Sequence, residues 1–454
     1  MDDPAQFRAV IIGGGLVGLT AAHIFSQVGI DFVVLEKHND ISTYRGTDLA
    51  VWPQTLRLFD QLGLLETAKP LLEHISKMLV LTAEDGRLRR TDDTLEFLEK
   101  NHGHGVRLMS RPKLMDFVYS SLPQTAKDRI LLGKQVSDID VSEDGVNVAC
   151  ADGTCHSGSI IIGADGVRSR TRLLAQSLKA GCEPDDLPEK QKTPFVTTYR
   201  MYFADIPLLP GLAANTTYNA IHHGVSIQTV CTSKRATFGL FEKLDAPTSV
   251  LTRYTEADRT AMLERWGHLY VAPGYTAAEV CRHRIGEPGM IDLEEGLVDQ
   301  WYHKRIVLVG DAVRKLEPHV GLGYNCGVTD LVVLVNQLRR LLRRDQSPST
   351  PALEKMFESY QQARAKDTLQ TAKFSEQSAR LLAWLNWKHM VIGKYGLTLL
   401  LPLAEFILRK SVSPVVSKTP VLEGFEEKNL PESLVKWEYH PKVINGKHPL
   451  ASTN

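Results

Sequence analysis

The chain opens on an apolar, β-branched run, Phe7-Arg8-Ala9-Val10-Ile11-Ile12, with the length and composition of a buried strand. Glycines follow at 13, 14, 15 and 18, and the apolar stretch from Leu16 to Gln27 reads as a helix that Val28-Gly29 stops. A second strand, Asp31 to Leu35, ends in Glu36. Leu56, Phe59, Leu62 and Leu65 recur at helical spacing between Gln54 and Lys69. Ser159-Ile160-Ile161-Ile162-Gly163 and Arg305 to Val309 are further buried strands, and a strong helix starts at Val328 with Val332, Leu334, Val335, Leu338 and Leu341. Between residues 186 and 283 the pattern changes. There Thr197 to Phe203, Val225 to Cys231 and Arg235 to Phe241 are strand-like runs rich in aromatic and β-branched residues. Such a sheet commonly walls a pocket for an organic substrate.

These patterns predict an α/β chain with interleaved domains. A Rossmann-like nucleotide domain takes residues 1–70, 104–185 and 284–375. A mixed or antiparallel β-sheet substrate domain takes 71–103 and 186–283. A C-terminal apolar helical segment covers 376–416, and a polar extension, expected to be loosely attached, covers 417–454. Within the helical segment, Leu381 to Trp387 and Tyr395 to Ala404 are very apolar. Each is shorter than the ~18 residues needed to span a bilayer. Two short helices packed on the protein are expected. Peripheral membrane contact through 381–410, using aromatics with Lys388, Lys394, Arg409 and Lys410, stays open.

Composition narrows the class. With 454 residues the chain can bury a sizeable core. Lys+Arg and Asp+Glu are both 53, so no charge excess points to nucleic acid. The basic cluster Arg339-Arg340-Arg343-Arg344 reads as a solvated helix end, favoured by the helix dipole. The six cysteines show neither C-x-x-C nor metal-ligand spacing, so reduced thiols, no metal site and a cytoplasmic location are expected. The first strand begins at Phe7, which leaves no room for a signal peptide.

Three short glycine-and-acid signatures carry the chemistry. In the first, Gly13 permits a tight turn, Gly15 lets backbone approach a pyrophosphate, and Gly18 lets the helix pack close to the sheet. The helix N-terminus favours phosphate oxygens, and Glu36 can accept hydrogen bonds from ribose hydroxyls while repelling a 2′-phosphate. In the second, Gly163-Ala164-Asp165-Gly166 turns the chain into a helix opened by Val167 to Arg172. In the third, Asp311 of Gly310-Asp311 can grip a polyol chain. Gly321-Leu322-Gly323-Tyr324-Asn325 then lets backbone come against a flat ring at a helix start.

In this order the signatures resemble those of FAD-dependent class A monooxygenases of the aromatic-hydroxylase type, over residues 7–375. The resemblance implies FAD as cofactor, with NAD(P)H and dioxygen as co-substrates. It implies cofactor-binding roles for Gly13, Gly15, Gly18, Glu36, Asp165, Gly166, Asp311, Gly321, Gly323, Tyr324 and Asn325. Ser110-Arg111-Pro112-Lys113-Leu114 looks like the family segment whose arginine touches FAD, which carries to Arg111. Arg45-Gly46-Thr47-Asp48-Leu49 looks like the loop that lines the flavin, which carries to Gly46.

Within the family, Thr193 to Arg200 and the apolar tail are similar to fungal secondary-metabolite epoxidases of indole-diterpene, meroterpenoid and prenylated indole alkaloid pathways. That likeness implies transfer of one oxygen from a flavin C4a-hydroperoxide to an electron-rich double bond of a bulky apolar substrate, with rearrangement to a spirocycle as a further step. Arg200 is the candidate catalytic residue and Tyr199 the second; the alternative for Arg200 is a sheet arginine paired to a carboxylate. The chain departs from the family pattern at Val313-Arg314, where Ala-His is common, and at Leu322, where glutamine is common. Arg314 is expected to serve NADPH or a surface ion pair, and His319 beside the flavin loop reads as structural.

The competing readings are a flavin dehydrogenase or oxidase without oxygen transfer, and a non-enzymatic carrier of the GDP-dissociation-inhibitor type. The carrier shares the first glycine motif, but Asp165-Gly166 and Gly310-Asp311 disfavour it. A halogenase is disfavoured because no W-x-W-x-I-P segment occurs.

Overall fold

A computed structural model describes residues 6–41, 48–396, 400, 403–429 and 431–441. Gly46 lies outside the described residues.

The first strand, β1 (Arg8–Ile12), leads into α1 (Leu16–Val28), which ends on Gly29 in a left-handed conformation with φ of 72°. Then come β2 (Asp31–Leu35), β3 (Asp48–Val51) and α2 (Pro53–Gln61). The hairpin β4 (Lys77–Thr82) and β5 (Leu88–Asp92) follows. The chain returns through α3 (Arg111–Ser120) and β6 (Ile160–Gly163) to α4 (Arg170–Ala180). Four long strands come next: β7 (Val196–Pro207), β8 (Thr216–Ile221), β9 (Val225–Cys231) and β10 (Arg235–Thr248). The remaining elements are α5 (Glu256–Trp266), β11 (Ile285–Leu297), β12 (Ile306–Leu308), α6 (Gly323–Leu342) and α7 (Thr350–Leu382).

Two sheets organise these elements. The first runs Tyr302–His303, β12, β6, β1, β2, Ile130–Leu131, parallel except for its Tyr302–His303 edge. Ala9–Ile12, Ile160–Gly163 and Ile306–Leu308 are buried and apolar throughout, as in a sheet with both faces covered. The second runs Arg314–Lys315, β11, β7, β10, β9, β8, β4, β5. Its pairings are antiparallel except β8 with β4. The expected α/β class, Rossmann-like domain, interleaved β-sheet domain and C-terminal helices are all present.

Helix α7 joins the two sheets. Its first half packs Leu353, Phe357 and Tyr360 into the nucleotide-domain core, and the Tyr360 hydroxyl donates to Leu308 O at 3.1 Å. Its last turn and the residue after it bring Ala379 and Ala383 against Tyr199, Met201, Phe241 and Leu293 of the second sheet.

Two expectations on organisation are corrected. Ile285–Leu297, assigned to the nucleotide domain, pairs with β7 and belongs to the second sheet. The polar extension is not loosely attached: Val421, Leu422, Phe425 and Trp437 are buried. Arg57 of α2 donates to Glu427 at 2.8 Å and lies 4.0 Å over the Trp437 ring, while Asp60 accepts from Asn429 N at 2.8 Å. The stretch therefore straps α2 to the fold. The basic cluster is partly recruited to the same strap, with Arg339 donating to Glu423 O and Arg340 pairing with its carboxylate.

Candidate functional site

The three glycine-and-acid signatures meet at one end of the parallel sheet. Gly13 has φ of +106°, and a Cβ there would lie 2.6 Å from Ala164 O, so the first turn presses against the second. A Cβ on Gly18 would lie 1.8 Å from Gly13 O, so α1 closes tightly onto its own approach turn. The third signature joins through Val17: Cβ atoms on Gly310 and Gly327 would lie 3.2 and 2.6 Å from its side chain. Arg172 of α4 ties the second to the third, donating to Ala312 O at 2.9 Å.

Within this junction some groups are left open. A Cβ on Gly15 or Gly166 would meet nothing within 4 Å. Gly15 caps α1 without any side-chain hydrogen bond, so the amides of the first turn face open space with the positive end of the helix dipole. Glu36, at the end of β2, is buried. Its carboxylate accepts from Gly14 N at 2.6 Å and from His38 N at 2.9 Å, which fixes its orientation beside the turn. Asp311 is part-exposed, paired with Lys315 Nζ at 2.7 Å, and faces Gly323 at the start of α6. An open helix N-terminus, an acid at the second strand end and an acid before a second helix N-terminus fit a dinucleotide cofactor.

Other expected contacts are taken up by the protein. Asp165 accepts from Ser169 Oγ at 2.5 Å and from Thr171 N and Oγ1, both at 2.9 Å, so its carboxylate shapes the turn. Asn325 accepts from Trp52 N at 2.9 Å and Thr55 Oγ1 at 2.7 Å, and donates to Ala50 O and Gly321 O, both at 2.8 Å. Its amide thus clamps the 321–325 loop to β3. The Tyr324 hydroxyl bonds Thr20 Oγ1 at 2.9 Å, joining α6 to α1. These three side chains brace the turn and the loop from within the protein. Gly321, at φ of +64°, would place a Cβ 2.5 Å from that of Ala50, which keeps the loop close to β3. Arg111 sits at the first position of α3, directly after the strand paired with β3.

The largest correction concerns Arg200. Successive residues of a strand face opposite sides. Tyr199, Met201 and Phe203 of β7 face α7, together with Phe241 and Leu293. Arg200 faces the other way, toward α5. Its Nε donates to Glu242 at 2.6 Å, and Glu242 also takes Arg265 Nε at 3.1 Å and Trp266 Nε1 at 2.7 Å. Arg200 is therefore a sheet arginine in an outer ion-pair cluster, across the sheet from Phe241 and His319. We expect Arg200→Ala to keep FAD and coupled turnover within about twofold of wild type and to cost about 1 kcal/mol of stability. Peroxide release in place of product, at unchanged melting temperature, would return it to the site. Tyr199 lies on the inner face, fully buried, and burial pushes its hydroxyl well above the ordinary tyrosine range.

Sequence reasoning missed Asp330 and misread Arg314. Asp330 is fully buried in α6. It accepts from Gly310 N at 3.0 Å, Arg314 Nη1 at 2.6 Å and Arg364 Nε at 3.0 Å. Arg314 is buried beside it, not at the surface and not toward a nucleotide. A lone acid inside the apolar run Val328 to Leu338 was the available signal. Among the described residues, no cluster of three or more His, Cys, Asp or Glu could hold a metal.

Comparison with known proteins agrees with this geometry. The FAD binding domain family matches residues 6–182 and 272–375. The FAD-dependent monooxygenase srdH of Neurospora crassa is 34% identical over 372 residues, covering 79% of this chain and 82% of its own. The FAD-dependent monooxygenase ausM of Penicillium brasilianum is 29% identical, covering 87% and 83%. The structure of Klebsiella pneumoniae HpxO complexed with FAD and uric acid superposes with a TM-score of 0.72 at 18% identity, over 90% of this chain and 98% of that one. At that identity the likeness is one of fold.

Proposed function

The chain belongs to the family of FAD-dependent monooxygenases, and on that premise we propose that it places one oxygen atom on an electron-rich double bond of a bulky apolar terpenoid or prenylated indole. NADPH and dioxygen are the co-substrates in this reading. FAD, when bound, supplies the electron storage and the oxygen activation. The chain's own residues bind and orient. The amides that open α1, from Gly15 onward, would take the pyrophosphate, Glu36 the ribose, and Asp311 the ribityl chain. The backbone of Gly321 to Gly323 would lie against the ring, Arg111 would border it, and the Asp165-Gly166 turn would offer backbone to cofactor and NADPH in turn.

The observation that carries the substrate class is the inner face of the second sheet. Met201, Phe203, Phe241 and Leu293 form it beside the link into Gly321, next to where the end of α7 packs on the sheet. Gly239 and Gly289 let two of these side chains lie flat on the sheet: a Cβ on Gly239 would lie 2.4 Å from Met201, and one on Gly289 2.1 Å from Phe203. An apolar wall with few polar groups suits a hydrocarbon-rich molecule and excludes water. Incubation of the flavin-loaded enzyme with NADPH and a panel of prenylated indoles and polyenes should give products heavier by one oxygen. Rapid NADPH use that yields only peroxide with every member of the panel would favour the oxidase reading.

The tail suggests a second property, docking on a lipid surface. Among the described residues no helix is long and apolar enough to cross a membrane. Yet Trp387, Leu403 and Phe406 are exposed, with Lys388 and Lys410 lying over the Trp387 and Phe406 rings. Aromatics beside lysines suit an interface. Flotation with anionic vesicles that is lost in a Trp387→Ser, Phe406→Ser double variant is the expected result; equal flotation by both proteins, or by neither, would refute it.

A further inference from the structure

Two buried titratable groups on the link between the Gly310-Asp311 turn and Gly321 take no part in the cofactor site described above. Glu317 is 1% exposed, and among the described residues neither of its carboxylate oxygens finds a hydrogen-bond partner. A buried, unbonded carboxylate is costly and calls for a reason. Its nearest charge partner is His319, whose Nδ1 lies 3.4 Å from Oε2. The His319 ring rests on Phe241, with centroids 4.1 Å apart and planes inclined by 35°. Its Nε2 lies 3.3 Å from Ser226 Oγ, on the inner side of β9. Carboxylate, imidazole and hydroxyl thus form a line from the flavin-loop link to the sheet that walls the substrate side.

We propose that Glu317, His319 and Ser226 form a proton relay that delivers one proton to an oxygen atom of the bound substrate. This rests on the monooxygenase reading above and adds a residue set to it. Burial favours a Glu317–His319 pair of zero net charge, and such a pair holds one transferable proton. In the step, the Ser226 O–H bond breaks and its proton passes to the substrate oxygen. That oxygen keeps the electron pair of the epoxide C–O bond it gives up, leaving the positive charge on carbon. The proton on His319 Nε2 moves to Ser226 Oγ and restores the hydroxyl. The imidazole is left neutral, with its Nδ1 proton facing the Glu317 carboxylate, and water returns the proton afterwards.

The surroundings suit this cycle. Burial pushes the Glu317 carboxyl above the usual carboxylate range, opposed by His319 and by Arg380 of α7 and reinforced by Glu295 of β11. Arg380, itself paired with Glu295 and Glu376, offsets the negative charge left after proton delivery, and Tyr199 of β7 closes the site as a neutral hydroxyl. Ser226 is not placed as a nucleophile. It lies within a strand paired on both sides, with no turn presenting backbone amides to an oxyanion.

The test uses the FAD-loaded enzyme and the variants Glu317→Leu and His319→Gln. Glu317→Leu removes a buried carboxyl that accepts no hydrogen bond among the described residues, and His319 can remain neutral without it, so its melting temperature should hold or rise and its FAD content should match wild type. Its yield of ring-opened, hydroxylated product should nevertheless fall at least tenfold. The decline of product formation as pH rises, expected of wild type, should flatten in both variants. Without substrate, nitrogen NMR of the holoenzyme, with the His319 signals assigned by their loss in His319→Gln, should place a proton on Nδ1 in wild type. That preference should be lost in Glu317→Leu. Parallel loss of melting temperature and activity, an unaltered pH profile, or an unaltered tautomer would overturn the relay. If wild type makes no oxygenated product, the functional reading fails and the tautomer measurement still judges the Glu317–His319 pair.

Discussion

Replacing Asp330 with alanine should destabilise the protein by about 3–5 kcal/mol, the largest single-site loss expected in this fold. Asp330 is the shared acceptor of Gly310 N, Arg314 and Arg364, and both arginines are buried. Without it, Arg314 lies in a dry interior with no compensating charge, Arg364 keeps only the longer contact with Asp367 at 3.7 Å, and the backbone of the Gly-Asp turn loses its anchor. Asp330→Asn keeps the shape and some hydrogen bonds but not the charge, so an intermediate loss is expected. Thermal melts of both variants check this. Wild-type melting temperatures would show that water reaches these arginines and that the buried network is not what holds the turn.

The second large effect is expected at Gly18. Its Cβ in Gly18→Ala would stand 1.8 Å from the backbone oxygen of Gly13, and neither atom belongs to a flexible side chain. Helix α1 must therefore shift away from the turn, which takes its open amides out of register with the cofactor. Flavin affinity should fall at least tenfold, about 1.4 kcal/mol or more, and the purified variant should be colourless. Gly15→Ala separates crowding of the cofactor from disturbance of the fold. No protein atom lies within 4 Å of the added methyl, so the apoprotein should melt as wild type does while its FAD occupancy falls. Full FAD content in both variants after dialysis would remove this turn from the cofactor site.

What could be read from sequence was what is local. The turn from β1 into α1 and the acid at the end of β2 depend on residues close in the chain, and their geometry follows the spacing. So does the strand Val225–Cys231, whose composition matches its structure residue for residue. What could not be read depends on long-range placement. Arg200 lies in a strand that was recognised, but alternation alone does not say which face meets the flavin loop. Ile285–Leu297 reads IGEPGMIDLEEGL, poor in β-branched residues, and becomes a strand because β7 supplies its partner. The strap is polar in composition, and only the contacts of Glu427 and Trp437 with Arg57, far apart in the chain, reveal that it is anchored. Asn325 and Tyr324 sit at the start of α6, yet their side chains turn into the protein because β3 and α1 offer them partners there.

The central claim is that this cofactor site and the apolar sheet beside it carry out oxygen transfer. The most direct measurement is turnover of an accepted apolar alkene with NADPH under heavy-isotope dioxygen, followed by mass spectrometry of product and solvent. One labelled oxygen atom in the product and the other in water, with one NADPH consumed per product, is the expected result. Product oxygen drawn from water, or all the label recovered as peroxide, would contradict it.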